Sequence, residues 1–187
     1  PMVIPGIVTI LLWQYIYNPQ FGLLNFLLAA VGLKNVMPAG GWLGNTMTAL
    51  PAIVGIGFPW CGGLAMLIYL AGLQSISGEV LEAAALDGAV GLARVWRIDI
   101  PLITGQLKLM IILTTIGALE SFETMLILTE GGPSNATMTP ALWMFMKGFR
   151  FQQFGYASAV GVAIFIVVLA LTYLNTKYIR SSIEYEA

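Results

Sequence analysis

Three long stretches of this sequence contain no Asp, Glu, Lys or Arg, and they constrain its fold more than any other feature. They cover residues 1–33, 35–78 and 151–176, and a fourth stretch, residues 101–119, is interrupted only by Lys108. A helix needs about 20 predominantly apolar residues to cross the hydrocarbon core of a bilayer. Each stretch reaches or approaches that length, so the sequence predicts a membrane protein.

Composition narrows the class of protein further. Of the 187 residues, 58% are hydrophobic and 9% are charged, whereas soluble domains carry roughly 25% charged residues. The net charge of −1 argues against a nucleic-acid partner. The chain has no His and a single cysteine, Cys61, so one chain cannot build a disulfide framework or a Cys/His metal site. We therefore expect no metal and no other cofactor.

We predict an all-α, polytopic membrane helix bundle. Its transmembrane helices, about four in number, are expected near Met2–Tyr17, Pro51–Leu73, Leu102–Leu128 and Tyr156–Tyr178. A short apolar piece, Leu23–Val31, is expected in the membrane interface. The sequence begins with Pro, and no charged segment precedes its first apolar run. We therefore interpret residues 1–187 as a single transmembrane domain that is truncated at its N-terminus.

Lysine and arginine indicate how the chain is oriented. Four spans place the loop of residues 75–101 and the C-terminus on the same side of the membrane. Five basic residues lie on or near that side and three on the other; they are Arg94, Arg97, Lys108, Lys177 and Arg180 against Lys34, Lys147 and Arg150. Basic residues accumulate on the cytoplasmic side. We therefore predict a cytoplasmic 75–101 loop in a multi-pass protein of the cell's inner membrane.

The 75–101 loop holds the only charge-dense segment between very apolar ones, at residues 79–101. Apolar side chains alternate with its charges; they are Val80, Leu81, Leu86, Leu92, Val95 and Trp96. A short loop in water has no core of its own for such side chains, so a partner protein is the simplest cover for them. The alternative is a loop that lies on lipid headgroups, but anionic lipid would repel its acidic residues.

Local signals predict two helices in this loop. Ser77 is placed to cap the first helix, and Glu79 in its first turn suits the helix dipole. Gly88 can take a positive φ angle where the chain reverses. We expect the second helix at about Ala89–Ile98, with Pro101 at the start of the next span. The first helix would present a narrow face of small residues to a partner; this face consists of Leu81, Ala84, Ala85 and Gly88.

The spacing within the loop resembles a family signature. ABC importer permeases carry Glu-Ala-Ala, three residues, Gly, nine residues, Ile, any residue and Leu-Pro; this chain has Glu82-Ala83-Ala84, Gly88, Ile98 and Ile100-Pro101. The resemblance implies that the loop docks into a dimer of cytoplasmic ATP-binding subunits and passes their motion to the membrane helices. It assigns this role to Glu82, Ala83, Ala84, Asp87, Gly88, Trp96, Ile98 and Pro101. The chain departs from the family pattern at Ile100, Val90 and Val95.

Three further segments are similar to sugar-type permeases of the same superfamily, namely Phe21–Asn25, Leu128–Pro133 and Phe154–Ala159. The resemblance implies a carbohydrate solute, an extracytoplasmic solute-binding protein that delivers it, and an alternating-access mechanism. A second permease chain is also implied, because four helices hardly enclose a pathway. The sequence has no Gly-x-x-x-x-Gly-Lys-Ser/Thr phosphate loop, so we expect the ATPase to be a separate chain or domain.

Two acidic residues, Glu120 and Glu123, are expected inside the membrane or at its edge. At about 1.5 Å per residue, Glu120 lies roughly 28 Å beyond Pro101 along a helix. The two carboxylates are three positions apart, so one helix face would present both of them, with Phe122 nearby, to a solute pathway. The alternative is that both simply lie at the far membrane interface.

Trp60 is the remaining candidate for the solute pathway. It follows Pro59, which removes a backbone hydrogen bond and kinks its helix. A kinked helix can line a cavity that opens to alternate sides of the membrane. Close helix packing through Gly62 and Gly63 is the alternative explanation of this segment.

These observations predict the permease subunit of an ATP-driven carbohydrate importer. The main alternative is a fragment of an ion-coupled secondary transporter, in which Glu120 and Glu123 would bind protons or cations. A membrane enzyme is not supported, because the sequence offers no nucleophile with a base at recognisable spacing. A purely structural subunit would leave the acidic loop unexplained.

Overall fold

The computed structural model describes residues 4–56 and 62–178, and the regular structure within these residues is entirely helical. The α-helices are α1 (Gly6–Ile16), α2 (Leu23–Ala30), α3 (Ala49–Val54), α4 (Gly63–Gln74), α5 (Gly78–Leu86), α6 (Leu92–Arg94), α7 (Ile100–Leu102), α8 (Thr104–Glu120), α9 (Glu123–Leu128), α10 (Pro140–Phe145) and α11 (Phe154–Tyr178). A 3₁₀-helix occupies Lys34–Val36, and π-helical turns at Val95–Asp99 and Met146–Arg150 extend α6 and α10. The predicted all-α class is confirmed.

The chain forms two compact units, and each is built from two parts of the sequence. Of the described residues, 4–56 and 119–165 form the first unit, and 62–118 and 166–178 form the second. The 75–101 loop therefore belongs to the second unit. The candidate pathway residues after position 119 belong to the first.

Two of the four predicted spans are present as long apolar helices. Thr104–Leu128, which contains α8 and α9, and Phe154–Tyr178, which is α11, each have 25 residues and are apolar enough to cross a membrane. No residue of α11 is buried within the chain. One stripe of this helix is partly covered within the chain, and its other faces are exposed to lipid or to neighbouring chains.

The first two predicted spans correspond to shorter helices. Helix α1 has 11 residues, which is about half of what a span requires. The second predicted span is covered by α3 and α4, and residues 57–61 between them lie outside the described part of the chain. The apolar piece that follows Gly22 is helical, as α2, and its place in the membrane interface stays a prediction.

Polar contacts in the first unit join α1 to α3 and order the segment between α2 and α3. The Tyr17 hydroxyl, just after α1, donates to the Ala52 carbonyl of α3 at 2.7 Å. Trp42 Nε1 donates to Asn25 Oδ1 of α2 at 2.7 Å, and the Thr48 hydroxyl donates to the Trp42 carbonyl at 2.8 Å. The polar atoms of Tyr17 and Trp42 thus have partners, as such atoms usually do when they are withdrawn from water.

A hydrogen-bonded turn joins α9 to α10 in the same unit. Thr137 is 2% exposed, and its hydroxyl lies 2.6 Å from Thr129 Oγ1 and donates to the Gly132 carbonyl at 2.8 Å. Gly131 has a φ angle of +89°, which favours glycine, and an added Cβ atom would lie 2.5 Å from Met138 Cε. The Gly131-Gly132-Pro133 segment is therefore part of a packed turn.

Close packing in the second unit brings α4 against α8. Gly72 is buried, and an added Cβ atom there would lie 2.9 Å from Gln106 Cδ, so a larger residue would have to displace Gln106. Lys108 Nζ donates to the Thr176 carbonyl in the last turns of α11 at 3.0 Å. A cation at this end of a helix is favourable to the helix dipole, so Lys108 stabilises the end of α11.

We expect Thr137→Val to lower the free energy of unfolding by about 1–3 kcal/mol, because the substitution keeps the shape and leaves the Gly132 carbonyl without its hydroxyl donor. The measurement is unfolding of the purified protein in detergent micelles. Thr176→Val is the matched control, because that exposed hydroxyl bonds only to the Thr172 carbonyl of its own helix, and it should change stability by less than about 0.5 kcal/mol. Equal effects of the two substitutions would contradict this assignment.

Candidate functional site

The 75–101 loop begins where α4 ends, and the chain bends sharply there. The axes of α4 and α5 differ by 73°, and Ser77 between them has extended backbone angles, φ −65° and ψ 146°. Ser77 thus occupies the predicted N-cap position, but its side chain makes no capping hydrogen bond. Glu79 lies in the first turn of α5, where a carboxylate is favourable to the helix dipole. Helix α5 therefore starts as a separate helix out of line with α4, with two glutamates among its nine residues.

A glycine-dependent turn ends α5. Gly88 has a φ angle of +75°, its N–H donates to the Ala85 carbonyl at 3.1 Å, and the N–H of Ala89 donates to the Ala84 carbonyl at 2.8 Å. This is the Schellman arrangement, in which a left-handed residue allows the last carbonyls of a helix to be satisfied. The predicted positive φ angle of Gly88 is confirmed.

The second half of the loop differs from its prediction. Its helix begins at Leu92, not at Ala89, because Gly91 has φ +58° and ψ −131°, a conformation that residues with a Cβ atom avoid. From Leu92 the helix runs through the π-helical turn and past Pro101, and α8 starts only at Thr104. Pro101 therefore lies inside this helix, as the second residue of α7, and does not begin the span.

One ion pair joins the two ends of the π-helical turn. Arg94 Nε donates to both carboxylate oxygens of Asp99, at 3.2 Å and 3.3 Å. Asp99 is 7% exposed, and a carboxylate is costly to bury without a partner. Arg94 therefore compensates a charge that the fold has taken out of water.

Several large apolar side chains of the loop are exposed. The exposed fractions are 90% for Leu86, 79% for Leu92, 70% for Trp96 and 64% for Val90; we call these four residues the exposed apolar set. Apolar surface of this kind indicates an interaction site. Nothing lies within 4 Å of a Cβ atom added at Gly88, so the turn beside this set is open to another chain.

Most of the other predicted coupling residues are also exposed, namely Glu82, Ala83, Asp87, Gly88 and Pro101. Ile98 is partly buried. Ala84 is 4% exposed, because its side chain packs within its own chain. The expectation that Ala84 helps to present a small-residue face to a partner is therefore wrong for this residue.

The predicted pathway acids lie at a break between α8 and α9. Helix α8 ends at Glu120 and α9 begins at Glu123, and Phe122 between them has φ −140° and ψ −21°. The prediction that one helix face presents both carboxylates is wrong, because the helix is interrupted between them. Both glutamates are exposed within the chain. At the break, the Thr139 hydroxyl donates to the Ser121 carbonyl at 3.4 Å.

Phe122 takes part in a row of stacked aromatic rings. Its ring centroid lies 4.9 Å from that of Phe145, and the Phe145 centroid lies 5.1 Å from that of Phe149, with interplanar angles of 25° and 30°. Together with Phe154 and Ser158, these rings line a largely apolar cavity of about 310 Å³. The row offers flat apolar faces of the kind that line small-molecule sites.

Sequence reasoning missed several of these features. Phe145 and Phe149 are four positions apart, a spacing at which side chains share a helix face, so their pairing was detectable. The Arg94–Asp99 contact was not, because five positions do not bring side chains together on an α-helix. Trp60, the last pathway candidate, lies outside the described residues.

Comparison with known proteins identifies relatives along almost the whole chain. Residues 1–185 match the family model described as binding-protein-dependent transport system inner membrane component. The chain is 34% identical over 184 residues to the probable ABC transporter permease protein YurN of Bacillus subtilis. This match covers 98% of this chain and 62% of YurN. It is 36% identical over 178 residues to the trehalose/maltose transport system permease protein MalF of Thermococcus litoralis. This match covers 95% of this chain and 58% of MalF.

A third relative and a solved structure extend this comparison. The chain is 34% identical over 181 residues to the diacetylchitobiose uptake system permease protein NgcF of Streptomyces coelicolor, with 95% of this chain and 51% of NgcF covered. The chain thus spans between about half and about two-thirds of these relatives' length. A bacterial ABC transporter involved in the import of the acidic polysaccharide alginate contains a chain of the same fold, with a TM-score of 0.79, 20% identity, and 95% of this chain and 63% of that chain covered.

The family model matches nearly every residue, and the long apolar helices agree with the membrane location that its description states. The predicted family and the predicted multi-pass membrane location are both confirmed. The chain belongs to the family of binding-protein-dependent transport system inner membrane components.

Proposed function

We propose that this chain is the permease subunit of an ATP-driven importer and that its 75–101 loop is the cytoplasmic element that couples it to the ATPase. The observation that carries the proposal is the exposed apolar set. Leu86, Leu92 and Trp96 are each at least 70% exposed, in a loop that also carries the charges of an aqueous segment. A docked protein partner would remove this apolar surface from water, at roughly 25 cal/mol per Å² buried.

The geometry of the turn at Gly88 supports the same proposal. The left-handed backbone angle of Gly88 satisfies the last carbonyls of α5 without a side chain at the tip of the loop. A partner can therefore approach the backbone closely at this point. The acidic residues Glu82 and Asp87 flank the turn and are exposed, which suits hydrogen bonding to donors of a docked protein.

The solute that we propose is a carbohydrate. Two of the relatives, MalF and NgcF, carry names that describe trehalose/maltose transport and diacetylchitobiose uptake. The stacked rings of Phe122, Phe145 and Phe149 would pack against the apolar faces of sugar rings. Exposed carboxylates at Glu120 and Glu123, on either side of Phe122, would accept hydrogen bonds from sugar hydroxyls. Trp60 is retained as a further candidate for this pathway.

Several partners follow from this function. ATP would be bound by a dimer of cytoplasmic ATP-binding subunits, and residues 1–187 themselves contain no phosphate-binding loop. A second permease chain would complete the pathway, and an extracytoplasmic solute-binding protein would deliver the sugar. The permease would perform no covalent chemistry; it would alternate its opening between the two sides of the membrane. Membership of the family leaves the ion-coupled alternative without support.

We expect Gly88→Val to reduce the amount of ATPase that co-purifies with the membrane-inserted protein roughly tenfold. A positive φ angle costs a residue with a Cβ atom about 1–2 kcal/mol, and about 1.4 kcal/mol corresponds to a factor of ten in an equilibrium constant. The measurement is the ratio of ATPase to permease after purification of the full transporter in mild detergent.

Gly78→Val is the matched control for this experiment. Gly78 lies in the same exposed helix, a Cβ atom added there meets nothing within 4 Å, and its φ angle is not positive. It should retain the wild-type ratio of ATPase to permease. Docking at the 75–101 loop would be disproved by a Gly88→Val transporter that keeps both full ATPase binding and solute-stimulated hydrolysis.

We expect Glu120→Gln and Glu123→Gln together to lower solute uptake about tenfold or more, because hydrogen bonds to charged groups contribute about 1.5–3 kcal/mol. The measurement is ATP-driven uptake of labelled disaccharides and oligosaccharides by the full transporter in proteoliposomes. Glu130→Gln is the control, since Glu130 is exposed and pairs with Arg150 at 2.8 Å. Unchanged uptake in the double variant would remove the two glutamates from the pathway.

A further inference from the structure

We infer that the Arg94–Asp99 ion pair is a positioning element. It fixes the π-helical turn at Val95–Asp99, so that the segment Leu92–Leu102, which leads to α8, moves as one rigid body when the loop is displaced. The inference rests on the proposed function, because it takes this loop to be the coupling element. It adds two residues to those that the loop signature contains.

The ion pair and the π-helical turn depend on one another. In an α-helix, residues five positions apart point about 140° away from each other around the axis. In a π-helix the i→i+5 hydrogen bond brings such residues back to nearly the same side. The N–H of Ile100 donates to the Val95 carbonyl, five positions earlier, and Arg94 Nε reaches both oxygens of Asp99 at 3.2 Å and 3.3 Å.

Burial makes the pair asymmetric. The Asp99 side chain is 10% exposed and the Arg94 side chain is 44% exposed, so the carboxylate is held inside while the guanidinium reaches in from the surface. Among residues 4–56 and 62–178, Arg94 is the only cation paired with Asp99. Without Arg94, a buried carboxylate would be left uncompensated. The turn could then relieve this cost by returning to α-helical geometry.

Such a change of geometry would change the direction in which part of the exposed apolar set faces relative to α8. A five-residue π-helical turn that tightened to α-helical geometry would rotate the segment before it by roughly 90° relative to the helix after it. Residues of the exposed apolar set that precede the turn, such as Leu92, would then face a different direction relative to α8. The ATPase could still be bound, but its motion would no longer be passed to α8 along the same line.

The flexible positions of the loop lie on the other side of this turn. Gly88 and Gly91 have positive φ angles, and residues 92–104 contain no glycine. The backbone ladder continues on both sides of the turn, from the Val95 N–H to the Gly91 carbonyl at 3.3 Å and from the Ile103 N–H to the Asp99 carbonyl at 3.1 Å. The two glycines at the tip are therefore followed by a glycine-free helical segment, Leu92–Leu102, which ends just before α8.

The test is the number of solute molecules imported per ATP hydrolysed by the full transporter in proteoliposomes, for Arg94→Gln, Asp99→Asn and the double variant. We expect Arg94→Gln to lower this ratio at least fivefold while the ATPase still co-purifies in wild-type amount. Asp99→Asn should have a smaller effect, because the amide oxygen still accepts from Arg94. The double variant should recover most of the loss, because no uncompensated charge remains buried.

This ratio separates positioning from mere stability. A pair that only stabilised the fold would lower the amount of assembled transporter and leave the import per ATP unchanged, and that result would overturn the inference. Arg97→Gln is the matched control, because Arg97 is exposed in the same turn and forms no ion pair with any described residue. It should keep the wild-type ratio, and a loss equal to that of Arg94→Gln would overturn the inference as well.

The outcome also distinguishes this inference from the proposed function. If the wild-type protein purifies without an ATPase and imports nothing with ATP, both are wrong. If the wild type is coupled and Arg94→Gln is equally coupled, only the inference is wrong. If Arg94→Gln fails to assemble, Asp99→Asn and the double variant still test the inference. A double variant that imports fivefold less solute per ATP than Asp99→Asn would contradict the idea that Arg94 compensates the charge of Asp99.

Discussion

The structure depends on one constraint, which is that backbone N–H and C=O groups in lipid must find partners within the protein. The long helices satisfy this requirement by themselves. At several points where a helix stops or breaks, another donor or acceptor replaces the missing one. Lys108 donates to a carbonyl near the end of α11, the Thr139 hydroxyl donates to Ser121 at the break after α8, and the Schellman turn at Gly88 closes α5. At these three places the irregular backbone keeps hydrogen-bond partners within the chain.

The 75–101 loop differs, because it leaves large apolar side chains uncovered next to charged residues. Trp96 is 70% exposed, although Arg94 and Asp99 in the same segment pair with each other. The loop orders its backbone through two glycines with positive φ angles and through the Arg94–Asp99 pair. A loop that uses its polar groups for internal order and leaves its apolar groups on the surface has the properties of a docking element. The function we propose and the positioning role of the ion pair both start from this contrast.

Much of the architecture was predictable from the sequence, and the errors have specific physical causes. The scarcity of charge predicted the spans at Phe154–Tyr178 and Thr104–Leu128, because length and apolarity largely decide whether a helix can span a bilayer. Gly88 was predictable because Asp-Gly after a strong helix former indicates a left-handed turn. The late start of the second loop helix was not predictable, because the sequence alone does not show that an isolated glycine such as Gly91 adopts a positive φ angle.

The sequence by itself determined the helical class, the membrane location and the family, because these depend on composition, on the length of apolar runs and on the spacing of one motif. Only the tertiary structure decided which side chains meet. It interrupted the helix between Glu120 and Glu123, buried Ala84 within its own chain, and brought Arg94 to Asp99 through a π-helical turn. The physical reason is that the periodicity of a regular helix determines which residues share one side of it. Breaks and π-helical turns, which arise from packing, change locally which residues lie on the same side.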